Sequence, residues 1–345
     1  MRTVTFKSVL YLAADIGGLD PEQLTAAEQR RVTRKINNRL EKAWAFDRWP
    51  ELVPVELRAF RDRYSDDTAY SAPNATTPSE TYFPATGRYY QALRATTGVP
   101  PEVLSGTDYV LNADTWALAE PSYSGELWQD GTAYAVGDTV RNPADWRFWR
   151  CHTAHTSAGA LDDAFFGILT PFEPYVALAQ PGETEIGEVL RLCQRDPRIY
   201  PQNPGVVRHR MGSKGAIPVG APLTEVFVEF RRRRPVFDPT AWDENVDYIG
   251  DEVRYLASTG ECYLALDATS GDDPSDSPAV WRKLDFPQVL ADFTARAAGS
   301  DLLRDDGQNQ KAAAEENEAY AKLAEARDIE LEGQAQSESV QVDGY

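Results

Sequence analysis

Cys151-His152-Thr153-Ala154-His155 is the densest gathering of groups in the chain that could hold a metal ion or move a proton. A tetrahedral zinc site takes four ligands. His209 is the sole histidine outside the cluster, so chance proximity accounts for the segment better than a metal centre does. No Ser, His and Asp arrangement and no phosphate-cradling glycine loop accompanies it, which leaves catalysis without a visible seat. Paired carboxylates are expected by chance in so acidic a chain. The sequence therefore reads as a non-enzyme with no cofactor.

A second group of residues has binding chemistry. Arg231, Arg232, Arg233 and Arg234 follow the run EVFVEF. At the end of a strand their side chains would alternate between the two faces. Contact with an acidic neighbouring subunit is the leading reading, because an acidic C-terminal helix offers a surface of opposite sign. Contact with DNA phosphates and a solvated strand end are the alternatives.

The most informative chemistry is aromatic and repeated. WQDGTAYAVGDTVRNPADWRFWRC and WDENVDYIGDEVRYLASTGECYLA both place a Tyr six residues after a Trp (Trp128 and Tyr134; Trp242 and Tyr248). Gly-Asp follows (Gly137-Asp138, Gly250-Asp251), then a Val two residues on (Val140, Val253), then a closing aromatic, Trp149 or Tyr263. A unit this small cannot bury a large core, so a few aromatics must supply most of its burial. The Gly-Asp pair suits a turn, and the expected product is a three-stranded miniature sheet.

The elements around these residues follow from periodicity. Asp20, Pro21 and Gln23 carry helix-start chemistry. Leu24, Ala27, Arg31, Val32, Ile36, Leu40, Ala43 and Trp44 then recur at helical spacing, with Arg30, Arg34, Lys35, Arg39 and Lys42 on the other face, until Pro50 and Pro54. The expected fold is α+β: an N-terminal helix and a long C-terminal helix packed together, with a central antiparallel β domain carrying two small three-stranded aromatic-rich modules. The expected divisions are a helical region over 1–64, an irregular connection with small strands over 65–127, and a first module over 128–176. A central β segment over 177–240, a second module over 241–285, a C-terminal helix over 286–333 interrupted near Gly307, and a flexible tail over 334–345 complete the map. Val226, Val228 and Phe230 give the period of a strand.

Composition bounds the rest. With 54 acidic against 35 basic residues the net charge is -19, which argues against general nucleic-acid binding. From Asp285 onward, 14 acidic residues face 5 basic ones. No stretch reaches the length of a membrane span, and the VLYLAA run after Lys7 is too short for a signal peptide. Three cysteines without CxxC spacing fit reduced thiols.

The repeat resembles the small chitin-binding modules of bacterial chitinases. The second copy, Ala241-Trp242 through Trp281, is the closer match; the first lacks the closing Trp, for which Phe172 or Tyr175 stands in. The resemblance implies sugar stacking, yet the stretches where those modules expose aromatics read Leu266-Asp267-Ala268-Thr269 and His152-Thr153-Ala154-His155. The aromatics Trp128, Tyr134, Trp149, Trp242, Tyr248, Tyr263 and Trp281 thus stand as module core or as glycan contacts. The whole arrangement, from VLYLAADIGGLDPEQL through EVFVEFRRRRPVF to WRKLDFPQVLADF, resembles adaptor or connector proteins of the tailed-bacteriophage neck. That resemblance implies a virion protein assembled in the host cytoplasm as a homo-oligomeric ring of about twelve copies. Portal and tail or tail-terminator proteins would be its partners, with transient contact to packaged DNA. A glycan-binding virion decoration or tail-fibre-type protein that contacts cell-surface glycan is the alternative.

Overall fold

The structure, a computed structural model, describes residues 1–71, 80–179, 183–220 and 224–339. The fold is α+β, with four α-helices and many short antiparallel strands among the described residues. The chain forms two compact units: one joins Met1–Pro54 to the chain from Arg232 onward, and the other is the intervening Val55–Arg231.

The first unit is built on helices α1 (Phe6–Ile16), α2 (Ala26–Phe46), α3 (Gln288–Asp305) and α4 (Asn309–Ser339). Thr5 caps α1, which buries Phe6, Val9, Leu10, Ala13 and Ala14. For α2 the cap is Thr25 rather than Asp20. The Thr25 hydroxyl accepts from the Glu28 N–H at 3.3 Å while the Glu28 carboxylate accepts from the Thr25 N–H at 2.8 Å. Asp20 instead caps a single 3₁₀ turn, Pro21–Gln23, and extended Leu24 separates the two. Both positions carry capping chemistry, and the reciprocal pair starts the long helix. Val32, Ile36, Leu40, Ala43 and Trp44 form its buried stripe, as the spacing predicts.

Helix α3 packs against α1, α2 and α4 and buries residues on every side, Leu290, Phe293, Ala297 and Leu302 among them. It ends where Gly307 adopts φ +79°, and the chain returns as α4. The return pairs Arg296 with Glu315 at 2.9 Å and with Glu318 at 3.1 Å, and sets Tyr320 edge-on to Phe293 at 5.4 Å. The helix runs into the span expected to be a tail, and residues 340–345 lie outside the described part.

Charge locks this bundle. Arg39, expected on the basic face opposite the apolar stripe, is buried. Its Nε donates to Asp301 at 2.7 Å, and Nη2 reaches Asp301 at 2.5 Å and Glu316 at 2.9 Å. Arg304 closes the network on Glu316 at 2.6 Å, while Lys35 and Arg31 hold Asp305 and Asp306 at 2.9 Å each. The bond to Arg304, then the one to Arg39, holds Glu316 below the usual carboxylate range; Lys35 does the same for Asp305.

The second unit holds a four-stranded sheet in the order Val206–Val207, Ile186–Cys193, Glu225–Arg232, Val55–Ala59. Val226, Val228 and Phe230 enter its core. The span expected as an irregular connection carries an antiparallel sheet of Glu80–Phe83, Arg88–Ala92 and Trp116–Leu118, plus a hairpin of Glu102–Ser105 and Asp108–Leu111. Tyr70, Tyr90 and Trp116 supply much of the burial there.

Two outcomes test this packing. A Cβ at Gly299 would stand 2.5 Å from Ile16 Cγ2, and one at Gly17 2.6 Å from Leu302 Cδ1, so glycine sets the α1–α3 approach. Gly299→Ala should destabilise the protein by about 1–3 kcal/mol through overpacking, read from chemical denaturation. Depressed carboxylates contribute stability that is present above their unfolded pKa, about 4, and lost as pH falls through the lower folded value. Protection of α2 and α4 amides should therefore hold from neutral pH to about 4 and fall below it, more steeply in wild type than in Glu316→Gln. Hydrogen exchange followed over that range checks this.

Candidate functional site

The two repeat copies fold alike under a shift of 114 residues, as from Tyr134 to Tyr248 or Trp149 to Tyr263, which becomes 115 at the closing strand, from Phe166 to Trp281. Ala133–Tyr134 pairs with His155–Thr156 as Asp247–Tyr248 pairs with Thr269–Ser270. Phe148–Cys151 lies between Thr139–Arg141 and Phe166–Leu169, as Glu261–Ala265 lies between Val253–Leu256 and Trp281–Leu284.

The register corrects the expected closing aromatic of the first copy. Phe166 sits opposite Cys151 as Trp281 sits opposite Ala265. Phe166 meets Tyr134 edge-on at 5.5 Å, and Trp281 meets Tyr248 edge-on at 5.3 Å. Phe172 and Tyr175 belong elsewhere in their unit, beneath the Arg61 guanidinium at 4.7 and 4.1 Å. Each module Tyr bonds back to its own entry turn: Tyr134 Oη accepts the Gln129 N–H at 2.8 Å, and Tyr248 Oη the Asp243 N–H at 2.7 Å.

The Gly-Asp motif is offset by one residue in space. Gly137 and Asp251 occupy the same place, each donating its N–H across the module, to the Cys151 and Ala265 carbonyls at 2.8 and 2.9 Å. Both are left-handed, at φ +96° and +71°. The position demands that conformation, and Asp tolerates it better than most side chains.

Tyr134, Tyr248, Tyr263 and Trp281 are buried; Trp128, Trp149 and Trp242 are half-buried, and their enclosed indole N–H groups make no hydrogen bond. These rings act chiefly as packing elements. Trp146 is different. It is 58% exposed at φ +60°, where the second copy has Gly260 at φ +73°. The two share one turn bond: Trp146 N–H donates to Asn142 and Gly260 N–H to Leu256, both at 2.9 Å. A Cβ at Gly260 would stand 2.8 Å from Lys7 Cβ, so packing on α1 requires glycine there. In the first copy the turn is open, and a bulky ring is held in an unfavourable backbone region with the Arg141 guanidinium 4.6 Å from its centroid.

Each module shares a core with its own unit. In the second, Phe6 stacks on Phe237 at 4.7 Å, the Phe6 N–H donates to Glu261 at 3.3 Å, and the Lys7 N–H donates to the Gly260 carbonyl at 2.9 Å. Cys262 joins the helical core, where burial pushes its thiol well up. In the first, buried Gln91 donates to the Ile168 carbonyl and accepts from the Thr170 hydroxyl at 2.8 Å. Gly167 lies against Leu93, where a Cβ would stand 2.5 Å from its carbonyl oxygen.

Carboxylates of the same chain hold parts of the arginine tract. Arg231 pairs with Glu188 at 3.2 Å and Arg234 with Glu41 at 3.6 Å. Arg232 is half-buried, with its Nε enclosed, and Arg233 is exposed. The acidic C-terminal helices meet Arg39, Arg31 and Lys35 of α2 instead. Cys151 Sγ and His155 Nδ1 lie 3.9 Å apart, and both turn to the Thr153 carbonyl. Burial raises the Cys151 thiol and lowers the His152 imidazole, which favours neutral forms. Among the described residues no three His, Cys, Asp or Glu side chains form a metal-ligand group, and no helix is long and apolar enough to cross a membrane.

No protein-family model matches the chain, and no curated protein matches it.

Paired substitutions test the equivalence of the two copies. Trp146→Gly should leave stability within about 1 kcal/mol of wild type, because relief of backbone strain offsets the lost cation–π contact. Gly260→Ala should cost about 2–3 kcal/mol, from the left-handed backbone and the clash with Lys7. Equal losses in thermal denaturation would break the equivalence.

Proposed function

We propose that this chain is a structural virion protein, an adaptor or connector subunit of a tailed-phage neck that assembles into a ring between portal and tail. The observation that carries the structural reading is that both modules are fused into the cores of their units, with most of the aromatics of the repeated pattern turned inward. A module built to capture a sugar keeps its rings outside; here burial uses them to brace a scaffold. The neck assignment comes from the resemblance of the flanking helices and the strand that leads into the second module. Of the helices, α4 rather than the buried α3 would face a passage for DNA, with Glu318, Glu325 and Asp328 exposed along it, since like charge keeps a polyanion from sticking.

Purified full-length protein examined by negative-stain electron microscopy and native mass spectrometry should give closed rings with a central channel, of about twelve copies. A monomer at every concentration, and also in the presence of a portal ring, would overturn the reading.

Trp146 favours a second reading, a glycan-binding decoration. Its exposed ring is the platform that the other module aromatics do not offer. Retention of the full chain on chitin or cell-wall glycan, abolished by Trp146→Ala, would support it; equal retention of both proteins, or none, would count against it. The full chain is the proper reagent, because segment 241–285 shares its core with α1 and α3.

A further inference from the structure

The hairpin of Glu102–Ser105 and Asp108–Leu111 exposes apolar side chains on both faces. Val103 lies opposite Val110 and Leu104 opposite Tyr109, and successive residues alternate, so each face carries one pair. All four are between 42% and 57% exposed. Summed over the two faces they offer on the order of 300 Å² of exposed apolar surface, comparable in total to the largest patch on an ordinary monomer. The base is firm: Asn112 N–H donates to the Pro101 carbonyl at 2.9 Å, and the buried Trp116 indole donates to Val99 at 2.8 Å. An apolar knob on a rigid base is organised for docking before it meets a partner.

A complementary surface lies on the same unit. The loop that joins Ile186–Cys193 to Val206–Val207 exposes Ile199 (64%) and Tyr200 (51%), and the strand it enters exposes Val206 (63%). Exposed Arg195, Arg198 and Arg208 border them, with the Arg195 guanidinium 5.8 Å from the Tyr200 ring. Arg198 is held by Asp196 at 2.7 Å. The knob has one charge between Val103 and Leu111, namely Asp108 at its tip. Apolar meets apolar, and an acidic tip meets an arginine rim, within a chain whose net charge is -19. We infer that the 102–111 hairpin of one copy docks on the 195–208 loop of a second copy, with Asp108 against the arginine rim. The two surfaces differ, so the contact is head-to-tail, the type that closes into a ring or grows into a filament. The inference rests on the assembly reading above and names its interface.

Sedimentation velocity of the full chain, with circular dichroism to confirm folding, tests it. Leu104→Asp combined with Val110→Asp, and separately Ile199→Asp combined with Val206→Asp, should each weaken self-association by about thirtyfold or more. Asp108→Arg should weaken it too, and Arg195→Asp in the same chain should restore part of the loss. Should a charged variant fail to fold, thiol chemistry gives an independent result. The native cysteines are buried, so mixing Val110→Cys with Val206→Cys protein under mild oxidation should yield a disulfide dimer that neither forms alone. Self-association that survives both double variants, with no mixed disulfide, would overturn this interface and leave the ring reading standing. No self-association and no disulfide would also overturn it, with the ring judged separately by microscopy on a portal. Binding of duplex DNA that Arg195→Ala abolishes while self-association is unchanged would assign the loop to nucleic acid and overturn it likewise.

Discussion

The guanidinium of Arg39 ties together segments that lie 262 residues apart, from a helix near the start of the chain to Asp301 near its end. It is buried, and it meets two carboxylates on two different helices. A charge in that position is tolerable only when paired and hydrogen-bonded, so the bundle has one arrangement of α2, α3 and α4 that satisfies it. The remaining contacts of the bundle take their positions from that arrangement. Glycines at 17 and 299 let α1 lie close to α3, and Ser300 donates to the Ala312 carbonyl at 2.8 Å to hold the returning helix. Closing so long a loop carries an entropic cost that grows slowly with length, which makes insertion of a whole β unit between the flanks affordable. The topology also delays folding, because the helical core cannot form until both flanks meet.

Fusion of the modules obeys a similar constraint. A miniature sheet whose core is a handful of aromatics and a few smaller residues cannot offset the entropy of ordering its own chain. Each copy solves this by extending its core into a neighbour. The second does so through Cys262 and the Phe6–Phe237 stack, the first through Gln91 and Gly167. Where the neighbour packs tightly the turn must be Gly260; where the turn is open it carries Trp146. Divergence between the copies thus follows from what each one touches.

How much of this the sequence disclosed depended on how local the signal was. The α2 stripe, the strand at Val226–Phe230, the break at Gly307 and the repeat all rest on short-range periodicity or backbone chemistry, and all are visible in the letters. Three features rest on tertiary context. The start of α2 is not one of them, because Thr25 and Glu28 spell the reciprocal capping box in the letters, beside the single cap of Asp20. Helix α3 is buried on every side by Ala, Gly, Ser and Thr, so it shows little amphipathic pattern. The closing aromatic of the first module depends on strand register, which matched Phe166 with Cys151 across a loop of different length. The Gly-Asp motif misleads for a related reason: the letters align at one position and the backbone at the next, because the fold selects a left-handed residue and accepts either Gly137 or Asp251. For the candidate site, identity of the aromatics was legible while their exposure was not, and Trp146 lies outside the repeated pattern altogether.

Electrostatics sets the terms on which copies of such a chain could gather. Each carries a formal charge of -19, and repulsion between whole molecules reaches about a Debye length, roughly 8 Å at physiological ionic strength. Cohesion must therefore come from contacts that act at shorter range than the repulsion: apolar burial and individually placed arginines. The chain concentrates much of its basic charge where it does specific work. Arg39, Arg31 and Lys35 neutralise the acidic ends of α3 and α4 within the bundle, and Arg231 and Arg234 are held by Glu188 and Glu41. The exposed arginines around Ile199 and Tyr200 then stand out against an acidic background as the place where an acidic, apolar knob would be attracted rather than repelled. An assembly held this way resists dissociation by salt in its apolar part and gains association rate from its charged part, so the two components would be separable by ionic strength alone.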